Sequence, residues 1–345
     1  MHKHLIIGPL PPPDGGTTIL FQQLIDGLGK CEYIDLIIID TNKEKNKILK
    51  FIKILTAVFC NIRKCDSIGF HCSTPLFRYL LPLVYLISSF FRKPLIVRKF
   101  GGDYFNFLTR KLSFLDRFVI YCLRNVKFSL FETKREIDVI DNKFNIKNTL
   151  WFPNARNKIV GKKQKKNDDN LLMCFLGTVS KEKGVDTLLE SLDFLNESNI
   201  HINIYGPCDD SELLLLINNS KFASYKNAYC SDELANILSA HDVLCLPTRY
   251  KGEGYPGVII ESYSVGLPVI VSNWQAIPEI VQNEYQGLIF DGSALDLAKC
   301  INRVYTKKYL LDFYSENASS SFDYFDSNKL LEVYKNILVE IKNGI

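Results

Sequence analysis

The stretch that decides the fold of this chain is RYKGEGYPGVIIE, residues 249–261. Two carboxylates, Glu253 and Glu261, bracket a glycine-rich turn that opens a predicted helix. The glycines keep side chains away from an approaching ligand, because they carry no Cβ. These glycines are Gly252, Gly254 and Gly257.

The predicted helix covers residues 258–265. Pro256 suits its first position because the missing N–H of proline costs nothing there, and Gly266 with Pro268 ends it. Backbone N–H groups near residues 256–259 are suited to a phosphate, while the two carboxylates accept hydrogen bonds from hydroxyl groups. Phosphate donors and hydroxyl acceptors together suit a sugar joined to a diphosphate.

Other segments surround this turn in a fixed chain order. They are FLGTVSKEKGVDTLL (175–189), IYG (204–206), Pro247 before the turn, GLPVI (266–270), PEIV (278–281) and QGLIF (286–290). In this order the set resembles glycosyltransferase family 4, the retaining enzymes of the GT-B fold. Taken alone, Glu253 also fits a solvated loop charge, and Glu261 fits a helix-start charge favoured by the dipole; the order of motifs favours a functional role.

The resemblance implies roles for individual residues. Glu253 orients the sugar, Glu261 holds the ribose, and Lys183 binds the donor phosphates as a point charge; the alternative for Lys183 is a surface charge at a helix start. The implied catalytic residues are Glu253, Lys183 and Asp103. The implied donor-binding residues are Gly15, Gly16, Gly177, Thr178, Lys183, Gly206, Glu253, Gly254, Tyr255, Pro256, Gly257 and Glu261.

Two positions depart from the family pattern. Thr178 stands where many relatives carry an arginine on the donor phosphates, and Lys181 or Arg249 is a candidate to replace it. Phe100 stands where a histidine is usual in a His-Gly-x-Asp sequence, so no histidine role is carried over. Asp103 still matches, and the resemblance implies contact with acceptor or donor hydroxyls.

The N-terminal segment GPLPPPDGGTT, residues 8–18, follows a predicted strand and precedes a helical pattern over residues 19–28. Gly15 and Gly16 allow backbone N–H groups to face an anion at the helix start. A tight strand-to-helix turn is the alternative. His71 ends another predicted strand, where a structural role and a functional role are both open.

Apolar runs of strand length alternate with helical patterns in both halves, which predicts parallel sheets covered by helices. The predicted strands are residues 5–8, 34–40, 67–71, 95–99, 128–132, 171–176, 201–205, 243–246, 269–272 and 287–290. The resemblance implies an α/β GT-B fold, with two Rossmann-like domains facing across a cleft. We assign residues 1–154 to the acceptor domain, residues 155–323 to the nucleotide-sugar domain, and the helical segment 324–345 to a return to the first domain.

Composition indicates an ordinary globular protein, since 47% of residues are hydrophobic and 23% are charged. The ten cysteines show no Cys-x-x-Cys spacing and read as buried thiols in a reducing compartment. The N-terminus does not read as a secretory signal. The apolar run 79–91 is too short to cross a bilayer and predicts a buried helix. These features predict a cytoplasmic protein.

Basic residues concentrate in the first half. Residues 43–64 contain seven basic residues and one acidic residue interleaved with apolar ones, and residues 105–127 form a second such region. The pattern fits contact with an anionic inner membrane and an ordinary surface helix equally well. The run 162–166 reads as a solvated linker and gives little support to nucleic-acid binding.

We therefore expect a retaining hexosyltransferase that uses a nucleoside-diphosphate sugar, with UDP as the expected nucleotide. The expected acceptor is a glycan or a polyprenyl-diphosphate-linked glycan in the synthesis of a surface polysaccharide such as O-antigen, capsule or exopolysaccharide. We expect no cofactor and no metal, because no Asp-x-Asp motif ends a strand. The alternatives are a nucleotide-sugar epimerase or phosphorylase of the same fold, and a non-catalytic nucleotide-sugar-binding protein.

Overall fold

The structure is a computed structural model that describes residues 1–12, 15–44, 46–161, 169–195 and 199–344. The basic run 162–166 lies outside the described residues. The chain divides into two compact units, Met1–Ala155 with Ser327–Ile345, and Arg156–Asp326. The predicted boundary after Asn154 lies one residue before the first division, and the predicted start at residue 324 lies three residues before the second.

The described part of the first unit contains a six-stranded parallel sheet of order β2-β1-β3-β4-β5-β6. Its strands are β1 (His2–Gly8), β2 (Ile34–Asp40), β3 (Ser67–Cys72), β4 (Leu95–Lys99), β5 (Phe128–Phe131) and β6 (Thr149–Trp151). The central strands carry apolar residues at consecutive positions, because helices cover both faces of a parallel sheet.

The helices between these strands are α1 (Gly16–Gly29), α2 (Lys47–Asn61), α3 (Thr74–Phe90), α4 (Tyr104–Thr109), α5 (Phe114–Asn125) and α6 (Lys134–Phe144). One apolar core includes buried side chains of α2, α3, α4, α5 and α6, and a second core includes those of α1. Asn46 caps α2, since its side chain accepts hydrogen bonds from the N–H groups of Ile48 and Leu49.

The second unit repeats this architecture in its described residues, with a parallel sheet of order β12-β11-β10-β7-β8-β9. Its strands are β7 (Leu171–Leu176), β8 (Ile200–Tyr205), β9 (Ala223–Tyr225), β10 (Val243–Leu246), β11 (Val269–Ser272) and β12 (Gly287–Phe290). Its helices are α7 (Val185–Leu192), α8 (Ser211–Asn219), α9 (Leu234–Ser239), α10 (Gly257–Val265), α11 (Ala294–Thr306) and α12 (Tyr309–Ser321).

The last helix, α13 (Ser327–Lys342), belongs to the first unit although it follows the second in sequence. Its buried residues Leu330, Tyr334, Ile337 and Leu338 pack into the core that contains α1. The Tyr334 hydroxyl lies 3.0 Å from His4 Nε2 and 3.1 Å from His71 Nε2. The end of the chain is thus tied to β1 and β3 through buried polar contacts.

The structure corrects one expectation about a helix. The apolar run 79–91 was predicted to be a buried helix, but only one side of α3 is buried. Its exposed large side chains are Tyr79, Leu83, Leu86 and Phe90. Among the described residues, no helix is both long enough and apolar enough to cross a membrane.

The cysteines are also only partly as expected. All ten are free, and Cys65, Cys72, Cys122, Cys174 and Cys245 are buried. The prediction of buried thiols is wrong for Cys60 and Cys230, which are exposed. Cys60 belongs to the outer side of α2, and Cys230 precedes a short 3₁₀ turn.

Candidate active site

An ion pair lies at the centre of the candidate site in the second unit. The Lys183 ammonium lies 2.6 Å from Glu253 Oε2, and the side chains of the two residues are 24% and 9% exposed. The same ammonium lies 5.0 Å from the centre of the Tyr250 ring, which adds a cation–π contact. The two residues of this unit that were predicted to be catalytic, Lys183 and Glu253, are therefore in direct contact.

Glu253 is held by residues at the carboxyl end of β10. Buried Thr248 donates from Oγ1 to Glu253 Oε2 at 2.8 Å, and Ser272 donates to the Thr248 carbonyl at 2.5 Å. Trp274 Nε1 donates to the Tyr250 carbonyl at 2.7 Å. These bonds fix the turn, so the carboxylate and the ammonium are oriented before any ligand arrives.

Glycines permit close backbone approaches beside this pair. Gly184 has φ +79° at the start of α7, and a Cβ there would overlap the Pro247 carbonyl. Gly206 has φ +138°, and a Cβ there would overlap the Gly177 carbonyl. The predicted residues Gly177 and Gly206 therefore lie against each other after β7 and β8, at the same edge of the sheet.

Helix α10 begins one residue earlier than predicted, at Gly257, and ends at Val265, followed by the capping residue Gly266 with φ +75°. Pro256 is thus the residue before the helix rather than its first residue. The N–H groups of the first turn have no partner within a helix, and the dipole gives that end a partial positive charge. This part of the site is suited to an anion.

Glu261 is paired on α10 with a residue that sequence reasoning missed. Arg156 Nε donates to Glu261 Oε1 at 2.7 Å. The guanidinium lies over Gly257, where a Cβ would overlap it. Burial, with the nearby Glu261 carboxylate, raises the pKa of Tyr229 to about 12. The side chains of Arg156 and Glu261 are 10% and 18% exposed, so the pair is largely enclosed within the second unit.

Two predicted donor-binding residues, Tyr255 and Thr178, differ in their surroundings. Tyr255 is buried, its hydroxyl donates to Glu279 Oε2 at 2.7 Å, and its ring packs on Phe325. Its side chain therefore supports the turn and leaves only the backbone at the site, as for buried Gly254. Thr178 is exposed after β7.

The two cations considered as replacements at the Thr178 position have other partners. Lys181 lies 3.1 Å from Glu212, and the carboxylate raises the pKa of this exposed lysine. Arg249 pairs with Asp186 and donates to Thr187 Oγ1 at 2.7 Å on α7. Both cations are therefore engaged with partners other than Glu253.

In the first unit, Asp103 is held by a buried lysine that sequence reasoning did not select. Lys99, at the end of β4, contacts Asp103 Oδ1 at 2.5 Å and lies 3.6 Å from buried Glu136 Oε1. Thr74 also donates to Asp103 at 2.7 Å. Burial raises the pKa of Glu136 to about 7, although Lys99 opposes that shift.

The remaining predicted positions of the first unit differ in exposure. Phe100 is buried in the apolar core, with the Arg98 guanidinium 4.7 Å from its ring centre. His71 is fully buried against Tyr334, which favours the structural alternative for it. Gly15 and Gly16 are exposed at the start of α1, and no atom lies within 4 Å of a Cβ placed on Gly16.

Thr248, Arg156 and Lys99 were not selected from the sequence, and they differ in whether the sequence carries a signal for them. Thr248 lies two residues after the end of buried strand β10, and polar side chains in that region line the ligand edge of a parallel sheet. That signal was available. Arg156 gave none, because its partner Glu261 is 105 residues away in sequence. Lys99 lies four residues before Asp103, a spacing that could have indicated the contact. Across the described ranges, no three His, Cys, Asp or Glu side chains form a group able to hold a metal ion.

Comparison with known proteins agrees with this geometry. The profile of the family described as "Glycosyl transferases group 1" matches residues 157–321, which include Lys183, Glu253 and Glu261. Residues 157–321, just under half of the chain, are thus similar to the group 1 glycosyl transferases. The group 1 region therefore covers nearly all of the second unit.

Several curated proteins similar to this chain are glycosyltransferases by name. One is the UDP-Gal:alpha-D-GlcNAc-diphosphoundecaprenol alpha-1,3-galactosyltransferase of Escherichia coli, 26% identical over 54% of this chain and 49% of the relative. Another is the capsular polysaccharide biosynthesis glycosyltransferase CapM of Staphylococcus aureus, 25% identical over 48% and 45%. The chain spans about half the length of the curated relatives it matches.

Solved structures match over the whole chain. Sucrose-phosphate synthase from Thermosynechococcus elongatus aligns with a TM-score of 0.78 at 14% identity, covering 100% of both chains. HepE of Anabaena, in complex with UDP and glucose, aligns with a TM-score of 0.73 at 13% identity, covering 99% of this chain and 100% of HepE. These likenesses confirm the predicted α/β GT-B fold class.

Proposed function

We propose that this protein is a retaining glycosyltransferase that moves a sugar from a nucleoside-diphosphate sugar to a hydroxyl group of an acceptor. The observation that carries the proposal is the Lys183–Glu253 pair, 2.6 Å apart, beside the glycine-rich turn at the start of α10. It places a cation, a carboxylate and a helix N-terminus together in the region that matches the group 1 family.

In this proposal the leaving diphosphate gains negative charge in the transition state while the sugar gains positive charge. Lys183 and the N-terminus of α10 stabilise the diphosphate. Glu253, held by Thr248, orients the sugar. Glu261 accepts from the ribose hydroxyls, and Arg156 positions it through the 2.7 Å bond. Retention at the anomeric carbon follows from the resemblance to family 4.

We propose UDP as the nucleotide and a glycan or polyprenyl-diphosphate-linked glycan as the acceptor. The support comes from similar proteins, since HepE is described in complex with UDP and the Escherichia coli relative is named for a UDP-sugar and a diphosphoundecaprenol acceptor. Surface-polysaccharide synthesis is also in the names of other relatives.

We also propose that transfer needs no metal ion and takes place on the cytoplasmic face of the inner membrane. The Lys183 ammonium and the α10 N-terminus supply positive charge where a divalent cation would otherwise neutralise the diphosphate. Asp103, held by Lys99, is the proposed contact for acceptor hydroxyls in the first unit.

The test is a donor screen with the full chain. Each UDP- or GDP-sugar is incubated with and without a lipid-linked acceptor, with and without EDTA, and nucleoside diphosphate release is measured. We expect acceptor-dependent release that EDTA does not reduce, and NMR of the product should show a retained anomeric configuration. Turnover without acceptor would favour an epimerase or phosphorylase, and binding without turnover would favour a non-catalytic protein.

A further inference from the structure

We propose that the outer face of α2, α3 and α5 in the first unit docks on an anionic lipid bilayer. Helix α3 is the centre of this face. Its exposed large residues recur at helical spacing along the whole helix, which places them in one stripe. They are Tyr79, Leu83, Leu86 and Phe90, with exposures of 51%, 38%, 50% and 80%.

The helices beside α3 continue the apolar surface. Helix α2 exposes Ile48, Ile52 and Phe59 at 75%, 53% and 60%, and its Phe59 ring lies 5.9 Å from Phe91 at the end of α3. On the other side, Phe114 of α5 is 88% exposed. Tyr121 of α5 is also exposed and lies 6.1 Å from Tyr85 of α3. The three helices therefore present one apolar surface, and patches of this kind mark interaction sites.

The charges around this surface are mostly positive, although Glu44, just before α2, pairs with Lys53 at 2.7 Å. The exposed or half-exposed basic residues on α2, on the turns that follow α2 and α3, and on α5 are Lys47, Lys50, Lys53, Arg63, Lys64, Arg92, Lys93, Arg117 and Arg124. Helices α2 and α3 contain no acidic residue, and α5 contains only Asp116. Asp116 is buried and lies 2.7 Å from Arg78, so it does not offset the basic rim.

This charge pattern favours a lipid surface over a second copy of the chain. In a two-fold dimer the same patch meets itself, so basic flanks would face basic flanks across the apolar stripe. A bilayer with anionic headgroups instead accepts apolar side chains at its interface and attracts the lysines and arginines around them. The occupant that complements both properties is an anionic membrane.

The inference rests on the proposed function for the choice of membrane, whereas lipid binding itself does not depend on sugar transfer. It also refines the sequence analysis, in which the pattern of residues 43–64 and 105–127 fitted membrane contact and an ordinary surface helix equally well. The α3 stripe, expected to be buried, becomes the centre of the contact. Insertion of its aromatic and aliphatic side chains into the bilayer interface then adds to the attraction between basic residues and anionic headgroups.

The experiment measures co-sedimentation of the full chain with vesicles of phosphatidylcholine alone or mixed with phosphatidylglycerol, without nucleotide. We expect binding only to the anionic vesicles, weakened as salt rises. The double variant Leu86→Gln, Phe90→Gln should lose about tenfold or more in affinity. Its matched control is Leu215→Gln, Leu216→Gln, which changes two exposed leucines on α8 of the second unit and should bind as the wild type does.

The charge arm replaces Lys47, Lys50 and Lys53 by Gln and should lower affinity about a hundredfold. Its control replaces Lys299, Lys307 and Lys308 of the second unit by Gln, which removes the same net charge and should leave binding unchanged. The proposal is overturned if the wild type does not bind anionic vesicles. It is also overturned if each control variant loses as much vesicle affinity as the test variant it is matched with. A dimer in sedimentation velocity that only the α3 variant dissociates overturns it as well. Vesicle binding without any sugar transfer would instead contradict the proposed function alone.

Discussion

The Lys183 ammonium contacts Glu253 at 2.6 Å across 70 residues of sequence, and Thr248 donates to the same carboxylate oxygen. We predict that Glu253→Gln lowers kcat by about a hundredfold or more, because the carboxylate charge near the sugar is lost. The amide keeps the size of the side chain, so the thermal midpoint should stay within a few degrees. Near-normal transfer by the folded variant would remove Glu253 from the site.

A second prediction concerns the leaving group. Lys183→Ala should weaken UDP binding and also lower turnover, since the diphosphate loses its cationic partner while its own negative charge grows in the transition state. Binding is measurable in a Trp151→Phe background, where Trp274 is the remaining tryptophan and bonds to the Tyr250 carbonyl beside Lys183. Lys181→Ala is the control, because Lys181 pairs with Glu212. Equal UDP affinity in both variants would show that Lys183 is only structural.

A third prediction tests whether Arg156 acts through Glu261. Arg156→Met and Glu261→Gln should each raise the Kd for UDP, and the double variant should lose less than the sum of the two effects, because both single changes break one bond. A UDP analogue without ribose hydroxyls should show little difference among the variants. Full additivity would mean that Arg156 and Glu261 contribute independently.

A fourth prediction concerns the backbone beside the ion pair. Gly184→Ala should lower the free energy of unfolding by about 2 kcal/mol or more, since alanine is strained at φ +79° and its Cβ would overlap the Pro247 carbonyl. Gly16→Ala is the control, because no atom lies within 4 Å of the added methyl. Urea unfolding of both variants measures the difference, and equal stability would contradict the strain argument.

Much of the fold was visible from sequence, because apolar runs of four to seven residues mark buried parallel strands. All ten predicted strands form, with ends within three residues. The missed strands, β6 and β9, have three residues each, too few to show a pattern. The exposed side of α3 was also missed. An apolar run looks the same in the sequence whether the helix face that carries it is covered by the protein or exposed to solvent.

The candidate site was only partly visible for a related reason. Glu253 and Lys183 belong to ordered motifs, and the structure brings them together. The partners of Glu261 and Asp103 depend on contacts between distant segments, Arg156 at 105 residues and Thr74 at 29 residues. Spacing within one motif cannot reveal such contacts, so Arg156 and Thr74 required the folded chain, whereas Lys99 lies only four residues before Asp103.

The last prediction concerns pH and the buried histidines of the first unit. Burial lowers the pKa of His4 to about 3 and lowers that of His71 well below its usual value. In the unfolded chain both imidazoles protonate near pH 6.5. The unfolded state therefore binds more protons below that pH, so stability is fully present above about pH 6.5 and is lost as pH falls, by about 1.4 kcal/mol per pH unit for each histidine.

The measurement is urea unfolding of the first unit at pH 7.5, 6.0 and 5.0, followed by the fluorescence of Trp151 in a Trp274→Phe background, since each unit contains one tryptophan. Tyr334→Phe should lower stability at every pH, because the hydroxyl that lies between His4 and His71 is lost. His4→Gln should reduce the acid slope, because one of the three depressed imidazoles, His2, His4 and His71, no longer titrates, while the opposing contribution of Glu136, whose pKa is raised, is unchanged. A slope that His4→Gln leaves unchanged would mean that other groups govern the acid sensitivity of this unit.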